Sequence, residues 1–173
     1  MDIVIRPARP EEYPTVAEIT ADAYLGDGLL DFGGSDPYLG KLRDVAGRAA
    51  VSEVLVAVEG ERVLGSVTFV TDGSPMADFA RAGEAEIRML AVTREARGRG
   101  AGEALVRACV GRARALEGGC TRVVLSTQGS MHSAHRVYER VGFTRTPDRD
   151  WNPLPELDDI RLLTYELTLR HTP

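Results

Sequence analysis

A glycine-rich turn carries the clearest chemical signal in the sequence. It reads Arg97-Gly98-Arg99-Gly100-Ala101-Gly102 and lies between an apolar run and a helical stretch. Glycine lets the backbone approach a ligand closely, and the first amides of a helix favour an anion. Arginines at 94, 97 and 99 add positive charge there, in a chain whose net charge is −5. The turn therefore indicates a phosphate or pyrophosphate site, with a plain strand-to-helix connection as the alternative.

Two common phosphate-binding motifs do not fit this turn. A P-loop requires a lysine followed by Ser or Thr, and no lysine follows Gly102. The dinucleotide motif Gly-x-Gly-x-x-Gly, counted from Gly98, has Glu103 in place of its last glycine. The next strand also continues into Ser126-Thr127, where a dinucleotide fold needs an acidic residue to hold the ribose. These residues argue against both nucleotide classes.

Residue periodicity predicts the elements that position the turn. Helical spacing of apolar residues predicts helices at about 11–24, 37–50, 100–116 and 133–140. Runs rich in β-formers predict strands at 3–6, 54–58, 63–70, 84–92 and 123–125, near 143 and at 160–169, with a hairpin joining the second and third. The order β-α-α-β-β-β-α-β-α-β-β predicts an α/β protein with helices on the faces of one mixed sheet.

Length and composition predict one ordinary globular domain over residues 1–173, with 43% hydrophobic and 27% charged residues. The acidic balance argues against a general nucleic-acid-binding protein, because such a protein needs a basic surface. Cys109 and Cys120 have neither disulfide-framework nor metal-site spacing, and His132 and His135 have no third ligand nearby. Without a secretion signal or an apolar run of about 18 residues, we expect a cytoplasmic protein that binds no metal, nucleic acid or membrane.

Two motifs resemble the signatures of a known family. The first is Met89-Leu90-Ala91-Val92 followed by Arg97-x-x-Gly100-x-Gly102, and the second is Ala134-x-x-x-Tyr138-x-x-x-Gly142-Phe143. Both look like motifs of the GNAT superfamily of N-acetyltransferases, and the order of elements agrees with that fold. The resemblance implies a mixed, mostly antiparallel central sheet with helices on both faces. It also implies a splay between two parallel central strands, at 84–92 and 121–126.

The resemblance further implies acetyl-CoA as the acyl donor. Backbone amides of the turn would cradle its pyrophosphate, and the preceding strand would contact the pantetheine arm. The implied cofactor-binding residues are Leu90, Ala91, Val92, Arg97, Gly98, Arg99, Gly100, Ala101, Gly102 and Glu103. The sequence departs from the family pattern at Met131, where members often have an asparagine that contacts the cofactor, and Ser130 or Ser133 could substitute for it.

Acetyl transfer to an amine requires two proton movements. An alkyl ammonium with a pKa near ~10 must lose a proton before its nitrogen attacks, and a thiol with a pKa of about 8.5 leaves more easily when protonated. Tyr138, at the family's tyrosine position, is the candidate acid, although its apolar helix stripe also suits a core residue. Glu86 is the candidate base by resemblance and Glu84 the second choice, with ordered water as the alternative to both.

The two-residue period of a strand predicts that Glu84 and Glu86 share one face with Arg88 and Leu90. Burial near the cofactor would raise the pKa of Glu86, whereas an ion pair with Arg88 would make it structural. A backbone N–H at Leu90 would stabilise the negative charge that develops on the thioester oxygen. Cys109 suits packing better than nucleophilic attack, so we expect direct transfer in a ternary complex.

The sequence does not identify the acceptor. The family builds its acceptor pocket from regions that correspond here to residues 24–38, 72–78 and 148–159, the last with Trp151. Acidic residues in the first and last regions suit a cationic amine, as they suit any solvated loop: Asp27, Asp31, Asp36, Asp148, Asp150, Glu156, Asp158 and Asp159. We expect an N-acetyltransferase for a primary amine of a small molecule or protein, with a homodimer as one option. The alternative is a non-catalytic acyl-CoA-binding sensor or regulatory module.

Overall fold

In the part of the chain that the structure describes, seven strands form a single sheet. The computed structural model describes residues 2–26, 33–116, 119–129, 131–154 and 161–169. The strands are β1 (Val4–Pro7), β2 (Glu53–Glu59), β3 (Arg62–Thr71), β4 (Glu84–Val92), β5 (Arg122–Gln128), β6 (Thr144–Arg145) and β7 (Leu162–Thr168). They are ordered β1-β2-β3-β4-β5-β7-β6 across the sheet, with β2 and β3 joined as the predicted hairpin.

In the described part of the chain, five α-helices connect these strands: α1 (Tyr13–Gly26), α2 (Tyr38–Arg43), α3 (Val45–Val51), α4 (Ala101–Arg114) and α5 (His132–Val141). The prediction of one helix over 37–50 is wrong. Asp44 leaves helical geometry at φ −82° and ψ 67°, and its Oδ1 accepts a hydrogen bond from Gly47 N at 3.0 Å. Asp44 therefore ends α2 and caps α3, because a short acidic side chain competes well for the first amides of a helix.

Helices cover both faces of the sheet. On one face, α1 and α3 pack against alternate residues of β2, including Val54 and Val56. On the other face, α4 and α5 pack against a larger cluster that includes Leu55 and Ile87. This arrangement confirms the predicted α/β sheet with helices on both sides.

The only parallel pair among the described strands opens part of the way along. β4 and β5 are in register from Glu84↔Arg122 to Ile87↔Leu125, and the other neighbouring pairs are antiparallel. Beyond Ile87, β4 continues to Val92, while β5 continues to Gln128 with β7 as its paired neighbour. The predicted splay between two parallel central strands is thereby confirmed.

A β-bulge lies in β4 where the splay begins. The ladder with β3 passes from Thr68↔Arg88 to Ser66↔Ala91, so Met89 and Leu90 together face one residue of β3. Met89 has φ 56°, a left-handed conformation that is uncommon for any residue but glycine. The bulge shifts the alternation of side chains along the rest of the strand.

This shift corrects one prediction about β4. Met89 packs with Leu39 and Leu42 on the α1–α2 face, whereas Leu90 packs with the α4–α5 cluster. Leu90 therefore does not share a face with Glu86 and Arg88. The strict two-residue period failed because the extra bulge residue reverses the faces after Arg88.

Candidate active site

A groove with a volume of about 680 Å³ runs between the end of β4, the start of α4 and the outer face of α5. Ala23 and Tyr24, at the end of α1, also line it. Because α1 lies on the opposite face of the sheet from α4 and α5, the groove connects the two faces at the splay.

Most of the predicted cofactor-binding residues line this groove. They are Leu90, Ala91, Val92, Arg97, Gly98, Gly100, Ala101, Gly102 and Glu103. The structure places Arg99 elsewhere, where its guanidinium group pairs with the carboxylate of Glu59. Met131 and Ser133 line the groove, and Ser130 lies outside the described residues.

The glycine turn has the geometry of a ligand cradle. Gly98 and Gly100 have φ values of 80° and 87°, and a Cβ atom at either position would point into open space. Gly100 is the N-cap of α4, and its carbonyl accepts the hydrogen bond from Ala104 N at 3.0 Å. The amides that precede Ala104 therefore begin the helix without intrahelical acceptors and face an anion-binding position.

Positive charge borders the same groove. Among the described residues, Arg97, Arg136 and Arg140 line it together with one carboxylate, that of Glu103. Arg140 Nε lies 2.8 Å from Glu103 Oε1, and Arg107 Nε lies 3.3 Å from Oε2. Hydrogen bonds from Arg140 and then Arg107 hold the pKa of Glu103 below its ordinary value. The excess of guanidinium groups favours a ligand that carries phosphate.

Tyr138 lies on α5 and is 4% exposed. Its ring packs 6.1 Å from the ring of Phe143 and 5.9 Å from that of Tyr165, measured between centroids. Ala134 and Val137 line the groove next to it on the same helix. Burial raises the pKa of the Tyr138 phenol, which keeps it protonated at neutral pH. The structure places Tyr138 in the core cluster next to the groove and not among the described residues that line it, so its role as the acid stays a prediction.

Tyr24 is a groove residue to which sequence reasoning gave no role. Its ring lies 6.2 Å from the ring of Tyr38, and it lines the groove from the α1 side. Burial raises the pKa of Tyr24, and the nearby phenols of Tyr38 and Tyr138 raise it further. Tyr24 therefore reaches the groove from the α1 side of the sheet, opposite the α5 residues that line it. No local sequence pattern indicates this placement, because it depends on the splay.

Glu86, the predicted base, is fully buried on β4. Its Oε1 accepts backbone N–H bonds from Asp78 at 3.0 Å, Phe79 at 3.1 Å and Ala80 at 3.0 Å. Burial raises the pKa of Glu86, and the N–H donors of Phe79 and Ala80 partly oppose that rise. The prediction that Glu86 is a base is not tested by these contacts.

Arg88 does not form the ion pair with Glu86 that the sequence offered as an alternative. Its Nε lies 3.0 Å from Asp78 Oδ2, its Nη1 donates to Met76 O at 2.9 Å, and its Nη2 donates to Tyr38 Oη at 2.8 Å. Arg88 therefore joins β4 to the loop before it and to α2.

Glu84, the second candidate base, is also engaged. Arg149 donates to both of its oxygens at 2.9 Å, and Arg81 N donates to Oε1 at 2.9 Å. Burial would raise the pKa of Glu84, but the hydrogen bonds from Arg149 and Arg81 bring it below its ordinary value. A carboxylate so strongly held in its charged form is a weak proton acceptor.

Parts of the predicted acceptor regions lie close together, since Met76 packs in a cluster with Tyr24 and Tyr38. Phe79, one residue beyond the predicted 72–78, contacts the region at 148–159. The rings of Phe79 and Trp151 lie 6.3 Å apart, and Arg149 lies 4.9 Å above the Phe79 ring. Asp150 is paired with Arg145 at 2.8 Å, so it is not an unpaired acid for an amine. Of the other predicted acidic residues, Asp27, Asp31, Glu156, Asp158 and Asp159 lie outside the described residues.

The cysteine and histidine side chains considered in the sequence analysis lie in packing or hydrogen-bonding environments. Burial raises the pKa of the Cys109 thiol, so this side chain is a protonated part of the core. His135 Nε2 lies 3.0 Å from Gln128 O, and the His132 ring lies 5.9 Å from that of His135. Within the described ranges, no group of three or more His, Cys, Asp or Glu side chains could hold a metal ion. No helix in those ranges is long and apolar enough to cross a membrane.

A mostly antiparallel sheet that splays beside a glycine-rich helix start defines the acetyltransferase class that the two motifs indicated. The sequence matches the acetyltransferase (GNAT) family over residues 15–143, and the chain belongs to that family.

Solved structures share the fold over nearly the whole chain. The protein yncA from Salmonella typhimurium, whose structure contains its cofactor acetyl-CoA, is 20% identical with a TM-score of 0.72, covering 100% of this chain and 97% of that one. A ribosomal-protein-alanine N-acetyltransferase from Brucella melitensis is 19% identical with a TM-score of 0.71, covering 96% and 99%. An N-acetyltransferase from Staphylococcus aureus Mu50 is 20% identical with a TM-score of 0.71, covering 98% and 100%. No curated protein sequence matched the chain.

Proposed function

We propose that the chain is an N-acetyltransferase that transfers the acetyl group of acetyl-CoA to a primary amine by direct attack in a ternary complex. The observation that carries the proposal is one continuous groove, from the glycine turn at the start of α4 to the splay beside Leu90 and Tyr24. Such a groove suits a long ligand with an anionic end and a reactive far end. Family membership and the acetyl-CoA in the yncA structure support this donor.

The turn fits the pyrophosphate of the donor. Gly98 and Gly100 leave the space in front of the α4 amides open, and Arg97, Arg136 and Arg140 supply positive charge. At the other end, the bulge at Met89 turns Leu90 into the groove, where its backbone N–H would stabilise charge on the thioester oxygen. Acetyl-CoA itself supplies an activated thioester.

The reaction needs two proton transfers: the amine loses a proton and the departing sulfur gains one. The neutral amine forms the new C–N bond at the acetyl carbon, the C–S bond breaks, and the ammonium proton passes to solvent or a base. Tyr138 donates its phenol proton to the departing sulfur and is later reprotonated from solvent. Burial raises the pKa of this phenol, so it is protonated when the C–S bond breaks, and the same rise makes it a weaker acid than the departing thiol.

The acceptor is proposed at the level of a primary amine on a small molecule or a protein. It would approach from the α1–α2 face, because α4, α5 and the glycine turn occupy the donor side. The Brucella protein acts on a ribosomal-protein alanine, so a peptide with an N-terminal alanine belongs in an acceptor panel. Free amino acids, spermidine and an aminoglycoside extend that panel to small amines.

The test measures thiol release from acetyl-CoA with each amine of the panel, with mass spectrometry of the acetylated product. Amine-dependent thiol release with a matching product is the expected result, and a reaction without amine is the control. Tight binding of acetyl-CoA without turnover of any panel amine would instead favour a non-catalytic acyl-CoA sensor.

A further inference from the structure

Three successive backbone amides converge on one carboxylate. Asp78, Phe79 and Ala80 donate to Glu86 Oε1 at 3.0, 3.1 and 3.0 Å, and Asp78 N also lies 3.2 Å from Oε2. Glu86 is 0% exposed, and its neighbours on the strand are buried as well. This carboxylate thus supplies the acceptor for three successive backbone amides of a segment that belongs to no helix or strand.

The segment that Glu86 holds, residues 76–80, is called here the acceptor loop. Met76 packs in a cluster with Tyr24 and Met89, and Tyr24 lines the groove, so the loop lies directly behind a groove residue. Arg88 bonds to Met76 O and to the Asp78 carboxylate, and thus fixes the same loop from the next position on that face of β4. The loop belongs to no strand, and its contacts with these β4 side chains are joined by one from Arg149, which donates to Phe79 O at 3.1 Å.

The position of Glu86 separates it from a substrate amine. Its side chain is 0% exposed and is not among the described residues that line the groove. Its Oε1 already accepts three N–H bonds, which oppose the rise in pKa that burial causes. Burial also separates the carboxylate from water that could relay a proton.

We propose that Glu86 is a positioning residue that fixes the acceptor loop against the splay, and that the amine loses its proton to water rather than to Glu86. This inference rests on the proposed acetyl transfer to an amine. It replaces the sequence-based hypothesis of a strand glutamate as base with a role in shaping the acceptor side.

Two conservative variants separate the two roles. In Glu86→Gln, the amide oxygen can occupy the Oε1 position and keep all three N–H bonds, while the ionisable group is lost. In Glu86→Asp, the ionisable group remains, but one methylene fewer withdraws it from the loop amides. A positioning role predicts that Gln is tolerated better than Asp, and a base predicts the reverse order.

The kinetic arm uses acetyl-CoA and the panel amine with the highest turnover. For Glu86→Gln we expect kcat and the acceptor KM within about threefold of the parent, with an unchanged pH dependence of kcat/KM. For Glu86→Asp we expect the acceptor KM to rise on the order of tenfold while the KM for acetyl-CoA stays constant. A hundredfold loss of kcat in Glu86→Gln, together with a lost pH dependence, would overturn the proposal.

A second arm needs no acceptor. Hydrogen exchange of the Asp78, Phe79 and Ala80 amides should be slow in the parent and in Glu86→Gln, and faster in Glu86→Asp. Equal exchange in all three proteins would also overturn the positioning role. If no panel amine is turned over, the proposed transfer fails, while the exchange rates still decide whether Glu86 holds the loop.

Discussion

Arg149 donates hydrogen bonds to both carboxylate oxygens of Glu84: its Nη1 lies 2.9 Å from Oε2 and its Nη2 lies 2.9 Å from Oε1. The two side chains are 11% and 2% exposed. The pair ties the segment after β6 to the start of β4, some sixty-five positions away in the chain. The Arg149 guanidinium also lies over the Phe79 ring, so this one side chain contacts both the start of β4 and the acceptor loop.

Loss of the Arg149–Glu84 ion pair should destabilise the protein. Removing one partner of a buried pair leaves an uncompensated charge, so Arg149→Met should lower the free energy of unfolding by about 3 kcal/mol. Arg122, 3.5 Å from Glu84 Oε2, partly compensates and keeps the loss from being larger. Urea denaturation measures the change. Arg62→Met is the matched control, because Arg62 is 59% exposed and 4.0 Å from Glu95; a surface pair of this kind contributes at most about 0.5 kcal/mol. Equal changes in the free energy of unfolding for the two variants would contradict a structural role for the Arg149–Glu84 ion pair.

The Arg6–Glu12 pair should give part of the pH dependence of stability. A hydrogen bond from Arg6 lowers the pKa of Glu12 from 4.5 to about 2. A depressed pKa means that this stabilisation is complete above the unfolded pKa of 4.5 and is lost as the pH falls toward 2. Because solvent screens the pair, its contribution at neutral pH should be about 1 kcal/mol. The difference in unfolding free energy between the parent and Glu12→Gln should therefore shrink between pH 6 and pH 3, measured by urea denaturation; a constant difference would contradict this assignment.

Local residue patterns were sufficient to predict the turn, the strand and the helix that line the groove, and non-local geometry decides the rest of its surroundings. The glycine turn and strand β4 could be predicted because glycine φ preferences and apolar runs act within a few residues. The bulge at Met89 could not, because it is set by the register of β3 against β4. The contacts of Glu86 depend on a loop whose sequence has no periodicity. The position of Tyr24 in the groove depends on the splay.

Gly100 should be required for donor binding. Its φ of 87° is unfavourable for any residue with a Cβ, and the added methyl group would enter the open space in front of the helix. Gly100→Ala should raise the KM for acetyl-CoA on the order of tenfold and leave the acceptor KM unchanged. Steady-state kinetics with each substrate varied provides the measurement.

A second glycine of the same helix provides the control. Gly111 is exposed within α4 and has open space around an added Cβ. Gly111→Ala should keep both KM values and raise the free energy of unfolding by about 0.5–1 kcal/mol, because alanine is the better helix former. If both glycine variants bound the donor equally well, the cradle at Gly100 would be disproved.

Tyr138→Phe removes the phenol proton and keeps the ring contacts with Phe143 and Tyr165. As the acid, Tyr138 should contribute on the order of 10²-fold to kcat, with acetyl-CoA affinity nearly unchanged. The comparison requires kcat from thiol release and Kd from calorimetry on the same preparation. A parallel loss of kcat and affinity would mean that the side chain is structural.

Arg140 and Arg107 share the carboxylate of Glu103, one on each oxygen, but only Arg140 lines the groove. A phosphate of the donor would compete with Glu103 for Arg140, and charge-assisted hydrogen bonds of this kind are worth about 1.5–3 kcal/mol. Arg140→Gln should therefore raise the Kd for CoA about tenfold and weaken its dependence on salt, whereas Arg107→Gln should change it by less than about twofold. Calorimetric titration of CoA at two ionic strengths measures both effects. Equal weakening by the two substitutions would mean that the arginines act only through the charge of Glu103, and that no phosphate contacts Arg140.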